Sequence, residues 1–94
     1  MKVGIVGLGL IGGSLAKGFN ALDDVSVLGC DSDESTLLMA RLDGAIEDVL
    51  TEENIGQCDY IFVSVYPEAG IKFIAENAKN FSKNAVVVDC AGFK

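Results

Sequence analysis

Two patterns of apolar residues alternate along this chain. Residues 2–6, 25–30, 59–65 and 85–89 are short, nearly continuous apolar runs rich in Val and Ile. Such runs predict strands, and their lack of polar alternation suits parallel strands covered on both faces. Between them apolar residues recur at steps of three and four. Ile11, Leu15, Phe19 and Leu22 predict a helix over residues 10–22, with this stripe toward a sheet and Lys17 and Asn20 on the opposite face. Leu37, Leu38, Arg41 and Leu42 carry a second helix to about residue 42. Ser32 or Asp33 can cap it, Asp33 and Glu34 suit its first turn, and Gly44 is placed to stop it. Pro67 opens a third helix at a first-turn position, with Ile71, Ile74 and Ala78 on its buried side. Ala45-Ile46 predicts a very short strand, and the acidic stretch 47–56 reads as a helical turn.

The alternation of strands and helices predicts an α/β fold of the Rossmann-type, doubly wound kind, with about five parallel strands and helices on both faces. The junction of the first strand and first helix reads Gly7-Leu8-Gly9-Leu10-Ile11-Gly12. A lone G-x-G-x-x-G is weak, but this one follows a strand, opens a helix and precedes a second strand that ends in an acid. In that context Gly7 permits the tight turn, Gly9 lets a pyrophosphate approach the backbone, and Gly12 lets the helix lie close to the sheet. The free N–H groups and positive dipole end of the helix explain how a chain with seven Lys and Arg residues can hold an anion. Gly7, Leu8, Gly9, Leu10, Ile11 and Gly12 are therefore the candidate pyrophosphate residues.

Asp31, with Ser32 beside it, stands at the adenosine end. A carboxylate there accepts from the ribose hydroxyls and repels a 2′-phosphate, and residues 32–40 contain no Lys or Arg, so NAD is favoured over NADP. In an open α/β sheet ligands bind beyond the carboxyl ends of the strands. Val65, Tyr66 and Pro67, at the next such end, are candidates for the nicotinamide side, where Tyr66 can flank a ring or pack under its helix.

Composition narrows the class. Ninety-four residues allow one domain, and 50% hydrophobic with 22% charged residues is a globular balance. A net charge of −7 with no basic stripe argues against a nucleic-acid surface. No apolar run approaches the roughly 20 residues of a membrane span. The chain enters a strand directly after Met1, so no signal peptide and a cytoplasmic location are expected. With no histidine and three widely spaced cysteines, a metal site is not expected and the usual neutral-pH base is missing. Cys30, Cys58 and Cys90 read as small hydrophobes, with Cys90 the one placed near the site. No nucleophile–base pair or carboxylate dyad is legible.

Residues 3–16, Gly29-Cys30-Asp31, Gly44-Ala45-Ile46 and Val65-Tyr66-Pro67 closely resemble the first part of prephenate and arogenate dehydrogenases, as does the ending Val88-Asp89-Cys90-Ala91-Gly92-Phe93-Lys94. The extension Gly12-Gly13-Ser14-Leu15 is more specific than the glycine pattern alone. The resemblance implies oxidative decarboxylation of prephenate or arogenate with a nicotinamide cofactor, in tyrosine biosynthesis. It also implies a truncated nucleotide domain. The helical domain that dimerises and closes the site, the catalytic histidine and the substrate-binding arginine would lie beyond Lys94, so no catalytic residue is assigned here. Two departures stand out: Gly92 occupies a place where several members have serine, and Tyr66 one where an aliphatic residue is common. Alternatives are the same portion of a pyrroline-carboxylate reductase or 3-hydroxyacid dehydrogenase, and a non-enzymatic nucleotide-sensing module. A domain cut after its last strand is expected to expose apolar surface and self-associate.

Overall fold

The computed structural model describes residues 1–90. The four apolar runs form β1 (Lys2–Val6), β2 (Ser26–Cys30), β4 (Tyr60–Val63) and β5 (Val86–Asp89), and a two-residue β3 (Asp48–Val49) joins them. All five strands are parallel, in the order β3-β2-β1-β4-β5. From β1 the chain winds outward to β2 and β3. It then returns across the sheet to build β4 and β5 on the other side. β1 is thus flanked by β2 and β4, and the connections leaving β1 and β4 diverge at their carboxyl ends.

Three helices cover the sheet: α1 (Leu10–Asn20), α2 (Glu34–Leu42) and α3 (Pro67–Asn77). Strand register sorts the core into two layers. Val3 pairs with Val27, and Ile5 pairs with Phe62. These side chains pack with Leu8, Ala16, Ala45 and Ile46 under α1 and α2. The alternate residues Val6, Leu28, Ile61 and Val63 pack with Leu50, Ile55 and Cys58, joined by Phe73 and Ile74 of α3. Each fully buried Val or Ile contributes roughly 1.5–3 kcal/mol by leaving water. The near-continuous apolar runs follow from this arrangement, since each central strand needs an apolar side chain on both faces.

Two turns are local in origin. Asp33 is the cap of α2: its carboxylate accepts from the Ser35 N–H at 3.2 Å and the Thr36 hydroxyl at 2.8 Å. Ser32 does not fill that role. At the other end Gly44 adopts φ +73°, its N–H donates to the Arg41 carbonyl, and the Ala45 N–H donates to the Ala40 carbonyl. These are the two bonds of a Schellman stop. The Asn20 side-chain amide donates to the Gly44 carbonyl and ties the end of α1 to this turn.

Several sequence expectations shift. Ala45 and Ile46 are not a strand. Both are buried core residues, and the short strand lies just beyond at Asp48–Val49, where the backbone reaches β2. The stretch 47–56 contributes that strand and the start of a 3₁₀ turn at Ile55–Gln57. On α1 the residues against the sheet are Gly12 and Ala16. Leu15 and Phe19 are half-buried, whereas Ile11 is exposed, as is Leu22, which lies past the end of the helix rather than in it, so the apolar stripe lies along the flank of the helix. On α3, Gly70 is buried and Phe73 and Ile74 half-buried, while Ile71 is 70% exposed and Ala78 also faces solvent. In both helices glycine meets the sheet, because the backbone comes too close for a branched side chain. Residues Ala91, Gly92, Phe93 and Lys94, which carry the end of the last sequence motif, lie outside the described residues.

Two substitutions test this packing by thermal or denaturant unfolding. Phe73→Ala is expected to lower stability by roughly 2 kcal/mol, whereas Ile71→Ala stays within about 0.5 kcal/mol. Asp33→Ala is expected to cost about 1 kcal/mol through loss of the α2 cap, while Ser32→Ala, which removes no cap bond, is near neutral.

Candidate functional site

The turn between β1 and α1 is built by three glycines with different constraints. Gly7 sits at φ +92°, and a Cβ there would lie 2.7 Å from both the Ser64 carbonyl oxygen and Val65 Cγ1. Its N–H donates to the Cys30 carbonyl at 2.9 Å, which extends the β1–β2 ladder into the turn. At Gly12 a Cβ would fall 1.7 Å from the Gly7 carbonyl oxygen and 2.5 Å from Ser64 Oγ, so the first turn of α1 lies directly on the turn that precedes it. Gly9 differs. Its φ is −71°, and a Cβ there would meet nothing within 4 Å. The fold requires glycine at Gly7 and Gly12 but places no such demand at Gly9.

The other residues of the motif separate. The Leu8 side chain is buried in the layer under α1 and α2, against Gly29, where an added Cβ would lie 3.1 Å from it. Its backbone N–H donates to Asp31 Oδ2 at 2.8 Å. Leu10 is 90% exposed at the start of α1, and Ile11 is partly exposed beside it. The Ser14 hydroxyl bonds back to the Leu10 carbonyl at 2.8 Å. As in other α-helices, the N–H groups of the first turn of α1 have no intrahelical acceptor.

At the end of β2, Asp31 uses both carboxylate oxygens. Oδ2 accepts from Leu8, and Oδ1 accepts the Asp33 N–H at 2.8 Å. Beside it the Cys30 thiol is pushed up to about 11, by burial first and by the Asp31 carboxylate second. Cys90 is shifted upward by burial and by Asp89, and Cys58 by burial, offset in part by Lys2. All three cysteines are free, and thiols shifted this way stay protonated near neutral pH, which makes them poor nucleophiles.

A cavity of about 330 Å³ opens where β1 and β4 diverge. Gly7, Asp31, Ser32 and Val65 line it, and among the sequence-derived candidates these four are brought together. Ala69 and Phe73 of α3 close its other side. They were invisible as site residues in the sequence, where Phe73 reads as one more apolar helix position. Tyr66 is 74% exposed and precedes Pro67, the first residue of α3. Ser64 was also missed. It is buried, and its hydroxyl donates to the Gly7 carbonyl at 2.9 Å. A single serine inside an apolar strand run carries no sequence signal for such a contact.

Two further concavities flank α1. A groove of about 520 Å³ runs along the flank of α1 over Leu10, Ile11, Leu15, Phe19 and Leu22. Another, of about 420 Å³, lies between α1 and α2, is bordered by Leu8, Gly9 and Leu10 of the turn, and brings Lys17 near Ser35, Thr36 and Asp43. Among the described residues no cluster of His, Cys, Asp or Glu is arranged to hold a metal ion, and no helix is long and apolar enough to cross a membrane.

Comparison with known proteins agrees with this geometry. The fold is similar to part of arogenate dehydrogenase from Synechocystis, with a TM-score of 0.85 and 26% identity over 95% of this chain and 32% of that one. It is also similar to a 3-hydroxyacyl-CoA dehydrogenase from Archaeoglobus fulgidus, with a TM-score of 0.77 and 25% identity over 95% of this chain and 33% of that one. The chain thus spans about a third of the length of these two enzymes. No curated protein sequence matches it. Residues 2–92 match the family described as NADP oxidoreductase, coenzyme F420-dependent. A parallel sheet with its switch point at β1 and β4, a glycine turn leading into α1, and a family match over nearly all residues place this chain in that oxidoreductase family, as a Rossmann-type domain for a nicotinamide dinucleotide.

Proposed function

We propose that this chain is the NAD-binding portion of a dehydrogenase of the prephenate or arogenate type. The observation that carries the dinucleotide reading is Gly9. Packing explains Gly7 and Gly12, but a Cβ at Gly9 would meet no neighbouring atom within 4 Å. The missing side chain there leaves room for something outside the chain, at the positive end of a helix where an anion is favoured. A pyrophosphate fits that room, with Gly9 and the first turn of α1 as its holders. Asp31 and Ser32 would face the adenosine ribose, and Val65, Tyr66 and Pro67 the nicotinamide half. When bound, the nicotinamide supplies a hydride acceptor. The chain's own part is to hold and orient the dinucleotide at the carboxyl ends of β1, β2 and β4.

The choice of NAD over NADP rests on the charge at the end of β2. Asp31, Asp33 and Glu34 cluster there, and residues 32–40 contain no Lys or Arg to neutralise a 2′-phosphate. Lys17 lines the groove between α1 and α2 that Gly9 also borders, farther along α1 from the end of β2. The family description names NADP, so this acidic end separates the chain from that preference. The substrate class is supported by the Gly12-Gly13-Ser14-Leu15 extension and by the similarity to arogenate dehydrogenase. The hydroxyacyl-CoA dehydrogenase shares the fold with a lower TM-score.

Calorimetric titration with NAD and NADP checks this reading. NAD is expected to bind at least about tenfold more tightly, a difference of about 1.4 kcal/mol. In Gly9→Val the thermal midpoint should hold within a few degrees while NAD binding is lost, because the added side chain fills open space that the fold does not use. A wild-type chain that binds neither dinucleotide, or a Gly9→Val variant that binds NAD as the wild type does, sinks the proposal.

A further inference from the structure

The peptide unit joining Gly7 to Leu8 is gripped at both ends. Its carbonyl oxygen accepts the Ser64 hydroxyl at 2.9 Å, and its N–H donates to Asp31 Oδ2 at 2.8 Å. The two partners come from opposite neighbours of β1, Asp31 from the end of β2 and Ser64 from the end of β4. Each is itself held. Asp31 Oδ1 accepts the Asp33 N–H at 2.8 Å, and the Ser64 N–H donates to the Val6 carbonyl at 2.8 Å. Ser64 is 7% exposed.

We propose that Asp31 and Ser64 are positioning residues, which lock the Gly7–Leu8 peptide in one orientation before any ligand arrives. The proposal rests on the dinucleotide reading of the turn and adds a second role for Asp31. Gly7, at φ +92°, brings no side chain of its own to resist rotation of the adjoining peptide, so beyond the packing of Gly12 against the carbonyl it is the two hydrogen bonds that set its direction. A flipped peptide would point its carbonyl at Asp31 and its N–H at Ser64. The hydroxyl tolerates either arrangement, since it can donate or accept, but an ionised carboxylate only accepts. Asp31 therefore sets the direction of the peptide, and Ser64 secures the carbonyl in that direction. Fixing the turn in advance removes an ordering cost from binding, so both residues raise affinity even where they touch no ligand atom. It also means that replacing Asp31 to relax cofactor choice loosens the turn at the same time.

Amide hydrogen exchange by NMR on the ligand-free chain tests the lock directly. In the wild type the Leu8 amide is expected to exchange slowly. In Asp31→Asn and in Ser64→Ala it should exchange at least about tenfold faster, while amides in β1 keep their protection. Titrations separate the two roles. Ser64→Ala should weaken NAD by about fivefold or more with the NAD-to-NADP ratio unchanged, because its hydroxyl is spent on the Gly7 carbonyl. Asp31→Asn should weaken NAD and also narrow that ratio. Leu8 exchange unchanged in both variants overturns the lock, as does a wild-type Leu8 amide as fast as in an unfolded chain, a result that needs no variant to fold. Unchanged NAD affinity in Ser64→Ala overturns the positioning role. If the wild-type chain binds no dinucleotide, the functional reading fails, and the exchange rates still decide whether the peptide is held.

Discussion

The contact between Gly12 and the Gly7 carbonyl governs much of this structure. A Cβ at Gly12 would overlap that oxygen at 1.7 Å, so α1 starts directly on the turn that leads into it. The helix can lie this low only on its smallest residues. Gly12 and Ala16 meet the sheet, while the larger Ile11 and Leu22 are displaced to the flank, where with Leu15 and Phe19 they border an open groove. The same close approach brings the Leu8 side chain into the core. There it lies over Gly29 of β2, where a Cβ would crowd both Leu8 and Ile46. Glycine at positions 7, 12 and 29 is thus one packing solution spread over two strands and a helix.

The order of the strands converts that packing into a site. β1 lies between β2 and β4, and the connections from β1 and β4 leave toward different helices. The gap between them is the cleft lined by Gly7, Asp31, Ser32, Val65, Ala69 and Phe73. Asp31 is the one charged side chain among its lining residues, with no lysine or arginine beside it. Under the proposed dinucleotide reading an anion would be held here through the dipole of α1 and hydrogen bonds rather than through formal charge, which suits a chain carrying −7. The raised thiol of Cys30 follows from the same burial and from the neighbouring carboxylate, and makes it an inert wall of the cleft.

Much of this was legible in the residues because the causes are local. Strand runs declare themselves where both faces of a strand are covered, as in β1, β2 and most of β4, while the edge strand β5 carries an apolar run although Val86 and Val87 are exposed. Gly44 and its Schellman bonds, Asp33 as a cap and Pro67 at the head of α3 are decided within a few residues of themselves. The spacing of Gly7, Gly9, Gly12 and Asp31 spoke for a dinucleotide turn, and Gly7, Gly12 and Asp31 each answer a steric or hydrogen-bonding demand near their own positions. Which side of a helix faced the sheet was not legible. Periodicity locates an apolar stripe, but how near the helix lies decides whether branched side chains or glycines occupy the contact, as Ile71 and Gly70 show on α3.

By itself, then, the sequence determined the α/β class, the parallel character of the sheet, most element ends and the glycine turn with its acid, all properties set by nearest neighbours along the chain. Tertiary structure alone decided how distant residues share one peptide unit. Nothing in the chain order links Asp31, Ser64 and the Gly7–Leu8 bond, which are 23 and 57 positions apart in their pairings. They meet because β2 and β4 both pair with β1 and end level with the same turn. The same cause separates Gly9 from Gly7 and Gly12: only with every neighbour in place does the middle glycine of the three prove to face open space.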